Sequence, residues 1–136
     1  MEDDSKILTN IRKIMSKKVY DTVEDIENDI NLLYECLIDL QLKEAAFEKK
    51  YTLSELKYRE RLGHVINNFG GWKFEEKVAL ATANDEQLMN LMVKTCDLKH
   101  VFSSMQSTRK TLENYIDNLK RIAMRLQYKG VKNANR

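Results

Sequence analysis

Apolar positions recur along most of the chain at alternating steps of three and four residues, the spacing of one face of a packed α-helix. Glu44 interrupts a first seam, whose members are Val23, Ile26, Ile30, Leu33, Leu37, Leu40, Phe47 and Tyr51. A longer second seam is polar only at Thr95 and Arg109: Leu88, Leu91, Thr95, Leu98, Phe102, Met105, Arg109, Leu112, Ile116, Leu119, Ala123 and Leu126. Two such seams predict two long helices packed side by side.

The pattern predicts an all-α fold in a single helical domain over residues 1–136. Glycine and asparagine cluster between the two seams, which favours a turn there and a bent hairpin. Thr22 with Asp25 resembles a capping box. Asn84 with Gln87 leaves two interpretations open, a helix break near 84 or a continuous helix. The predicted elements are a short helix over 5–18, a first long helix over 22–62, a connector over 63–71 and a second long helix over 72–129.

Several apolar residues lie off both seams, so one hairpin cannot cover them. They are Leu32, Ile38, Leu42, Met92 and Val101. A helix with so wide an apolar face packs against more than one partner. We therefore predict a homo-oligomer whose subunits share these surfaces.

Charge is distributed unevenly along the chain, although the net charge is only +2. Residues 21–48 hold nine acids and one lysine, residues 49–61 hold five cations and two acids, and residues 109–136 hold eight cations and two acids. This asymmetry indicates a polyanionic partner, or self-association of acidic on basic surfaces. Matching of charges to helix dipoles accounts for part of the pattern.

The stretch over 44–61, where the first long helix turns from acidic to basic, is the candidate binding segment. Cations interleaved with aromatic rings suit single-stranded nucleic acid, because phosphates attract charge and bases stack on flat apolar faces. A solvated helix end with core tyrosines is the structural alternative, and Trp72 is either a core anchor or a stacking platform. The candidates are Lys49, Lys50, Lys57, Tyr58, Arg59, Arg61 and Trp72.

Few residues have the arrangement that catalysis or metal binding requires. His64 and His100 are far apart and have no second ligand at metal spacing. Cys36 and Cys96 both lie in helical patterns, and the chain lacks the cysteine density of a secreted disulfide scaffold, so we expect reduced thiols. Neither has the neighbouring His or Asn/Asp signature of a catalytic nucleophile. The chain also lacks a phosphate-binding glycine loop of the Gly-Lys-Ser/Thr kind. We therefore expect no enzyme, no metal and no cofactor.

No apolar run approaches the ~18 residues of a membrane span. The first residues are acidic and polar, unlike a secretory signal. The sequence thus predicts a cytoplasmic protein without membrane contact.

From about Asp21 onward, the chain has a recognisable order of segments: an acidic helix, a basic segment, a glycine-bearing gap and a long C-terminal helix. Within it lie Glu44-Ala45, Lys49-Lys50, Leu56-Lys57-Tyr58-Arg59, Glu76-Lys77-Val78 and Asp85. The most specific piece is Leu-Lys-x-Arg at 56–59. In this order and these residues the chain resembles the UvsY recombination mediators of T4-type bacteriophages.

The resemblance implies a small all-helical protein that forms rings, binds single-stranded DNA and acts in phage DNA recombination and repair. It would loosen the single-stranded-DNA-binding protein and help load a RecA-like recombinase, in the host cell cytoplasm. Lys57 and Arg59 would contact phosphate. Lys49, Lys50 and Arg61 are added from charge and proximity, and Tyr58 or Trp72 as base-stacking rings.

Two other interpretations remain open. One is a helical oligomeric adaptor or inhibitor that binds only protein partners. The other is a helical duplex-DNA or RNA binder that uses the basic C-terminal helix.

Overall fold

The computed structural model of the chain describes residues 4–16, 20, 22–71 and 73–134, and every regular element in them is helical. The all-α class and the two long helices are therefore confirmed for this part of the chain. The elements are α1 (Asp4–Met15), α2 (Val23–Val65), a 3₁₀ turn (Ile66–Asn68), α3 (Phe74–Asn84) and α4 (Glu86–Ala134).

Helix α2 begins with the cap that the sequence predicts. The Asp25 amide donates to Thr22 Oγ1 at 3.2 Å, which satisfies one of the unpaired amides of the first turn. The helix ends at Val65, three residues beyond the predicted end at 62. Val65 is buried with Ala81 and Leu88, so packing extends α2 past Gly63.

The connector from α2 to α3 therefore starts at Ile66 and not at Gly63. The 3₁₀ turn closes with the Phe69 amide donating to the Ile66 carbonyl at 3.2 Å. Gly71 has a φ of 83°, a left-handed conformation that glycine adopts without steric cost. The predicted start of the second long helix at Trp72, like Lys17 and Lys18 of the predicted first helix, lies outside the described residues.

A break separates α3 from α4 at Asp85, whose extended backbone has φ −123° and ψ 108°. Asn84 does not cap the following helix, because its side-chain amide donates back to the Leu80 carbonyl at 2.7 Å. Asp85 is the cap: its Oδ1 accepts from the Leu88 amide at 2.7 Å. Of the two interpretations at 84, the structure has the broken helix.

The described residues form two compact units, and each takes part of α2 and part of α4. The first unit comprises residues 1–42 and 107–136, and the second comprises residues 43–106. The core of the first unit joins α1, α2 and α4 through Ile11, Ile14, Ile26, Ile30, Leu33, Cys36, Leu37, Leu112, Ile116 and Leu119.

Tyrosine hydroxyls supply polar contacts beside this core. Tyr115 Oη donates to the Ile14 carbonyl at 3.2 Å and so fixes the end of α1 to α4. Tyr20 Oη donates to the buried Asp29 carboxylate at 2.9 Å. Burial, together with the bond to Asp29, raises the pKa of Tyr20 well above its usual value.

The second unit pairs the C-terminal part of α2 with the N-terminal part of α4. In the contacts between the two helices, higher residue numbers on α2 pair with lower residue numbers on α4, so the helices are antiparallel. Val65, Ala81 and Leu88 form its buried cluster, against which Tyr58, Leu62 and Phe69 pack. Farther from the connector, Tyr51 contacts Phe102 and Ser54 contacts Thr95.

Candidate nucleic-acid interface

The seam of α2 continues through the basic segment and decides which side chains point at α4. Its members there are Tyr51, Ser54, Tyr58, Arg61 and Val65, again at steps of three and four. The Tyr51 ring stacks on Phe102 with centroids 6.4 Å apart. A residue one position before a seam residue therefore lies on one flank of the pair formed by α2 and α4, and a residue one position after it lies on the other flank.

Ser54 and Thr95 form a polar layer within this seam. Ser54 is buried, and its Oγ lies 2.7 Å from Thr95 Oγ1. Thr95 Oγ1 donates to the Leu91 carbonyl at 2.6 Å, so the Ser54 hydroxyl is the donor between the two side chains. Thr95, one of the polar exceptions in the second seam, is thus hydrogen-bonded across the pair.

One flank of the second unit is lined with lysines. Lys50, Lys57 and Lys94 each precede a seam residue by one position, and all three line one groove between α2 and α4. The groove has a volume of about 410 Å³. We call it the basic groove; its lining residues are Lys50, Leu53, Ser54, Lys57, Leu91, Lys94 and Leu98.

A neighbouring depression continues the basic groove toward the end of α2. It shares Lys57 and Leu91 with the groove and is also lined by Glu60, Arg61, His64 and Gln87. His64 follows Lys57 by seven residues, or about 10 Å along the helix, and so extends the same flank.

Acids occupy the opposite flank of α2. Glu48 and Glu55 each follow a seam residue by one position, which places them on the side away from the basic groove. A side-chain hydrogen bond with Glu55 raises the pKa of Tyr51. Across its width, α2 therefore has Lys50 and Lys57 on one flank and Glu48 and Glu55 on the other. Glu60, which precedes the seam residue Arg61 by one position, lies on the same flank as the lysines.

Of the six predicted site residues that the structure describes, Lys50 and Lys57 line the basic groove. Lys50 Nζ also lies over the Phe47 ring, 5.0 Å from its centroid. Lys57 has no ion pair with any residue in the described part of the chain. Both lysines are exposed.

Lys49 and Arg59 lie outside the groove. Lys49 lies on the outer face of α2, in a shallow depression with Ala45, Leu53 and Leu56. Arg59 is exposed and forms an ion pair with Glu55, one turn earlier on the same helix. An exposed pair of this kind is weak, so Arg59 can exchange its carboxylate for another anion.

Arg61 and Tyr58 lie in the seam between the helices. Arg61 donates to both carboxylate oxygens of Asp85, from Nη2 at 2.6 Å and from Nε at 3.3 Å. Tyr58 is half-buried and packs against the cluster around Leu88. Both residues therefore have structural contacts within the fold, and neither belongs to the candidate interface. Trp72 lies outside the described residues.

The bond to Arg61 lowers the pKa of the Asp85 carboxyl, and the bond from the Leu88 amide lowers it further. The same contact raises the pKa of Arg61. Asp85 thus stays ionised while it caps α4 and holds α2.

Sequence reasoning missed Lys94, because that residue lies in the second seam region and far from the basic segment. A usable signal was present in the spacing. Lys94 precedes the seam residue Thr95 just as Lys57 precedes Tyr58. In an antiparallel pair, positions with the same offset from the seam meet on one flank.

The described residues contain no group of three or more histidines, cysteines or acids that could hold a metal ion. Within the same residues, none of the helices is both long and apolar enough to cross a membrane. The chain has no significant match among protein-family models, curated proteins or solved structures.

The basic groove can bind a flexible polyanion. Its lysines are compact, mobile charges that suit phosphate groups. The leucines of the floor offer apolar contact, and none of the seven lining residues is aromatic. Such a surface recognises charge and shape without reading sequence.

Proposed function

We propose that this protein is a non-enzymatic recombination mediator that binds single-stranded DNA in the basic groove. The observation that carries the proposal is the convergence of Lys50, Lys57 and Lys94 on one aliphatic floor. These lysines come from two helices, and Glu48 and Glu55 of α2 lie on the other flank. A strand lying along the groove would meet cations from both sides.

Each copy of the groove is a weak site by itself. Neutralising about three phosphates gives a single strand a log–log salt slope of roughly −2. Linked copies of such a site on one strand bind far more tightly than one copy, without any new type of contact. Because each contact is weak, the bound strand could also be transferred to a recombinase.

The assembly that this mechanism needs is supported by apolar residues that the chain leaves uncovered. Leu32, Ile38 and Leu42 on α2 are between 50 and 66 % exposed, and Val101 on α4 is 38 % exposed. Burying them between subunits would stabilise a homo-oligomer. The ring form, the displacement of a single-stranded-DNA-binding protein and the loading of a RecA-like recombinase rest on the resemblance to the UvsY mediators.

Titration with a fluorescent single-stranded oligonucleotide at two salt concentrations tests the proposal. We expect K50Q/K57Q/K94Q to lose at least tenfold in affinity and to flatten the salt dependence. The matched control K73Q/K99Q/K110Q removes three exposed lysines that do not line the groove and should bind like the wild type. Equal affinity of the two triple variants would reject the groove as the site.

Mediator activity needs a second measurement. A RecA-like recombinase is added to DNA covered by single-stranded-DNA-binding protein, and its DNA-dependent ATP hydrolysis is followed. The wild-type protein should shorten the lag, and K50Q/K57Q/K94Q should not. DNA binding without any effect on the lag would leave a DNA-binding protein with another role.

The second candidate function is an adaptor or inhibitor that binds only proteins. The outer face of α2 favours it, because Leu53 and Leu56 are 53 and 58 % exposed beside Ala45. If the wild-type protein binds no oligonucleotide even at low salt, this candidate replaces the first.

A further inference from the structure

The C-terminal part of α4 carries a stripe of exposed cations and large apolar side chains. Arg121, Met124, Arg125 and Tyr128 follow one another at steps of three, one and three residues, so they share one helix face. Tyr128 is 69 % exposed and Met124 is 68 % exposed. We call these four residues the outer stripe.

The outer stripe has no visible part in the core of the first unit. Leu119 is buried there, and Ala123 and Leu126 pack against that core from the opposite face of the same turns. Leu119, Ala123 and Leu126 therefore provide the apolar surface by which this part of α4 packs, and the outer stripe is not needed for it. Met124 and Tyr128 project into solvent, where large apolar side chains gain nothing from folding.

The arginines of the outer stripe are available for a ligand. Both are exposed, and neither forms an ion pair with an acid in the described part of the chain. The nearest acid along this face is Asp117, which interacts electrostatically with Lys120. The exposed Lys129 adds a further cation beside Tyr128.

We propose that the outer stripe is a second contact for single-stranded nucleic acid, separate from the basic groove. Arg121 and Arg125 would hold successive phosphates, and the Tyr128 ring would stack on an unpaired base. Guanidinium groups bind phosphate in a fixed fork and also stack on flat rings. Exposed aromatic rings beside cations are how sequence-tolerant proteins hold single strands.

Other polyanions fit the outer stripe less well. In a duplex the bases are already stacked on one another, so an exposed tyrosine face has no partner there. A membrane-surface helix needs a broad apolar face to insert. In the C-terminal part of α4 that face belongs to the core. The large apolar side chains exposed there among the described residues are Ile122, Met124 and Tyr128, and Ile122 is only 37 % exposed and lies beside the outer stripe, so they do not form a broad face.

Photo-cross-linking of the full chain to a bromouracil-substituted oligonucleotide tests the stacking contact. Mass spectrometry should place the adduct on Tyr128. The matched control is Tyr115, which is half-buried and bonded to the Ile14 carbonyl, and it should carry none. An adduct map without Tyr128 would overturn the proposal.

Affinity measurements test the same contact in another way. We expect Y128A to weaken single-strand binding about tenfold, the usual effect of losing one stacked base, and Y128F to bind like the wild type. R121Q/R125Q should flatten the salt slope by roughly 1.4, while the control K99Q/K110Q should not change it. Unchanged affinity in Y128A, or equal competition by duplex DNA or anionic vesicles, would overturn the proposal.

The proposals for the two DNA contacts can be tested independently. In the K50Q/K57Q/K94Q background, residual binding should still depend on Tyr128, and loss of that dependence would reject the outer stripe alone. If the triple variant binds like the wild type while Y128A is weak, the groove is rejected and the outer stripe stands.

Discussion

The Arg61 guanidinium of α2 holds the Asp85 carboxylate at the start of α4, with Nη2 and Oδ2 2.6 Å apart. Asp85 Oδ1 also accepts from the Leu88 amide, so one side chain both caps a helix and joins two helices. Exposed ion pairs add little to stability, but this carboxylate is only 15 % exposed and has donors on both oxygens.

The first prediction separates these two roles of Asp85. Serine can still cap a helix but cannot pair with Arg61, whereas alanine can do neither. We therefore expect the thermal midpoint to fall in D85S and to fall further in D85A. Circular dichroism follows the transition, and D97N, which removes an exposed acid elsewhere on α4, is the control. Wild-type midpoints for both Asp85 variants would show that neither role matters.

The second prediction concerns acid pH. The folded pKa of Asp85 lies below its ordinary value of 3.8, so its contribution to stability is fully present above that pH. The contribution is lost as the pH falls through the folded pKa. Urea unfolding of the wild type and D85N at pH 7, 4 and 2 should therefore show a gap in unfolding free energy that narrows toward pH 2. A gap that is constant with pH would contradict the ion pair.

The third prediction concerns the polar layer of Ser54 and Thr95. Thr95→Val removes the acceptor of a buried hydroxyl and should cost about 1–3 kcal/mol. The double variant S54A/T95V removes both partners and should be destabilised by less than the sum of the single variants. Urea unfolding of all four proteins gives the coupling, which we expect to be about 1 kcal/mol. Strict additivity would mean that the hydroxyls act independently.

The fourth prediction compares two leucines at opposite extremes of exposure. Leu88 is fully buried, so Leu88→Ala should destabilise the fold by about 2–5 kcal/mol. Leu56 is 58 % exposed, so Leu56→Ala should change the monomer by about 0.5 kcal/mol or less. A concentration-dependent loss in Leu56→Ala, seen by light scattering and thermal unfolding together, would place this leucine in a subunit contact.

Periodicity along the chain predicted the helices well because burial of one helix face is a local property. The seam from Leu88 to Leu126 lies within a single helix, α4, and its members Leu88, Leu112, Ile116 and Leu119 are buried. The same reasoning left the ends of elements uncertain. Val65 extends α2 because it packs on Ala81 and Leu88, and a contact with a later helix leaves no trace in the local pattern.

The candidate site was less predictable because a sequence does not show which way a charged side chain points in the folded chain. Lys57, Arg59 and Arg61 lie within five residues and look alike as cations. In the folded chain the first lines a groove, the second pairs with Glu55 and the third is bonded to Asp85. Which cation faces solvent depends on the register between α2 and α4.

By itself, the sequence determined the all-helical class, the two long helices and the capped start of α2, since each follows from side chains a few residues apart. The tertiary structure alone decided the break at Asp85, the partial burial of Tyr58 and the position of Lys57 beside Lys94, 37 positions away, in one groove. The physical reason is that periodic burial is repeated at every turn of a helix. A groove between two helices instead depends on one alignment of the pair, which is selected by a few contacts such as Ser54 with Thr95 and Arg61 with Asp85.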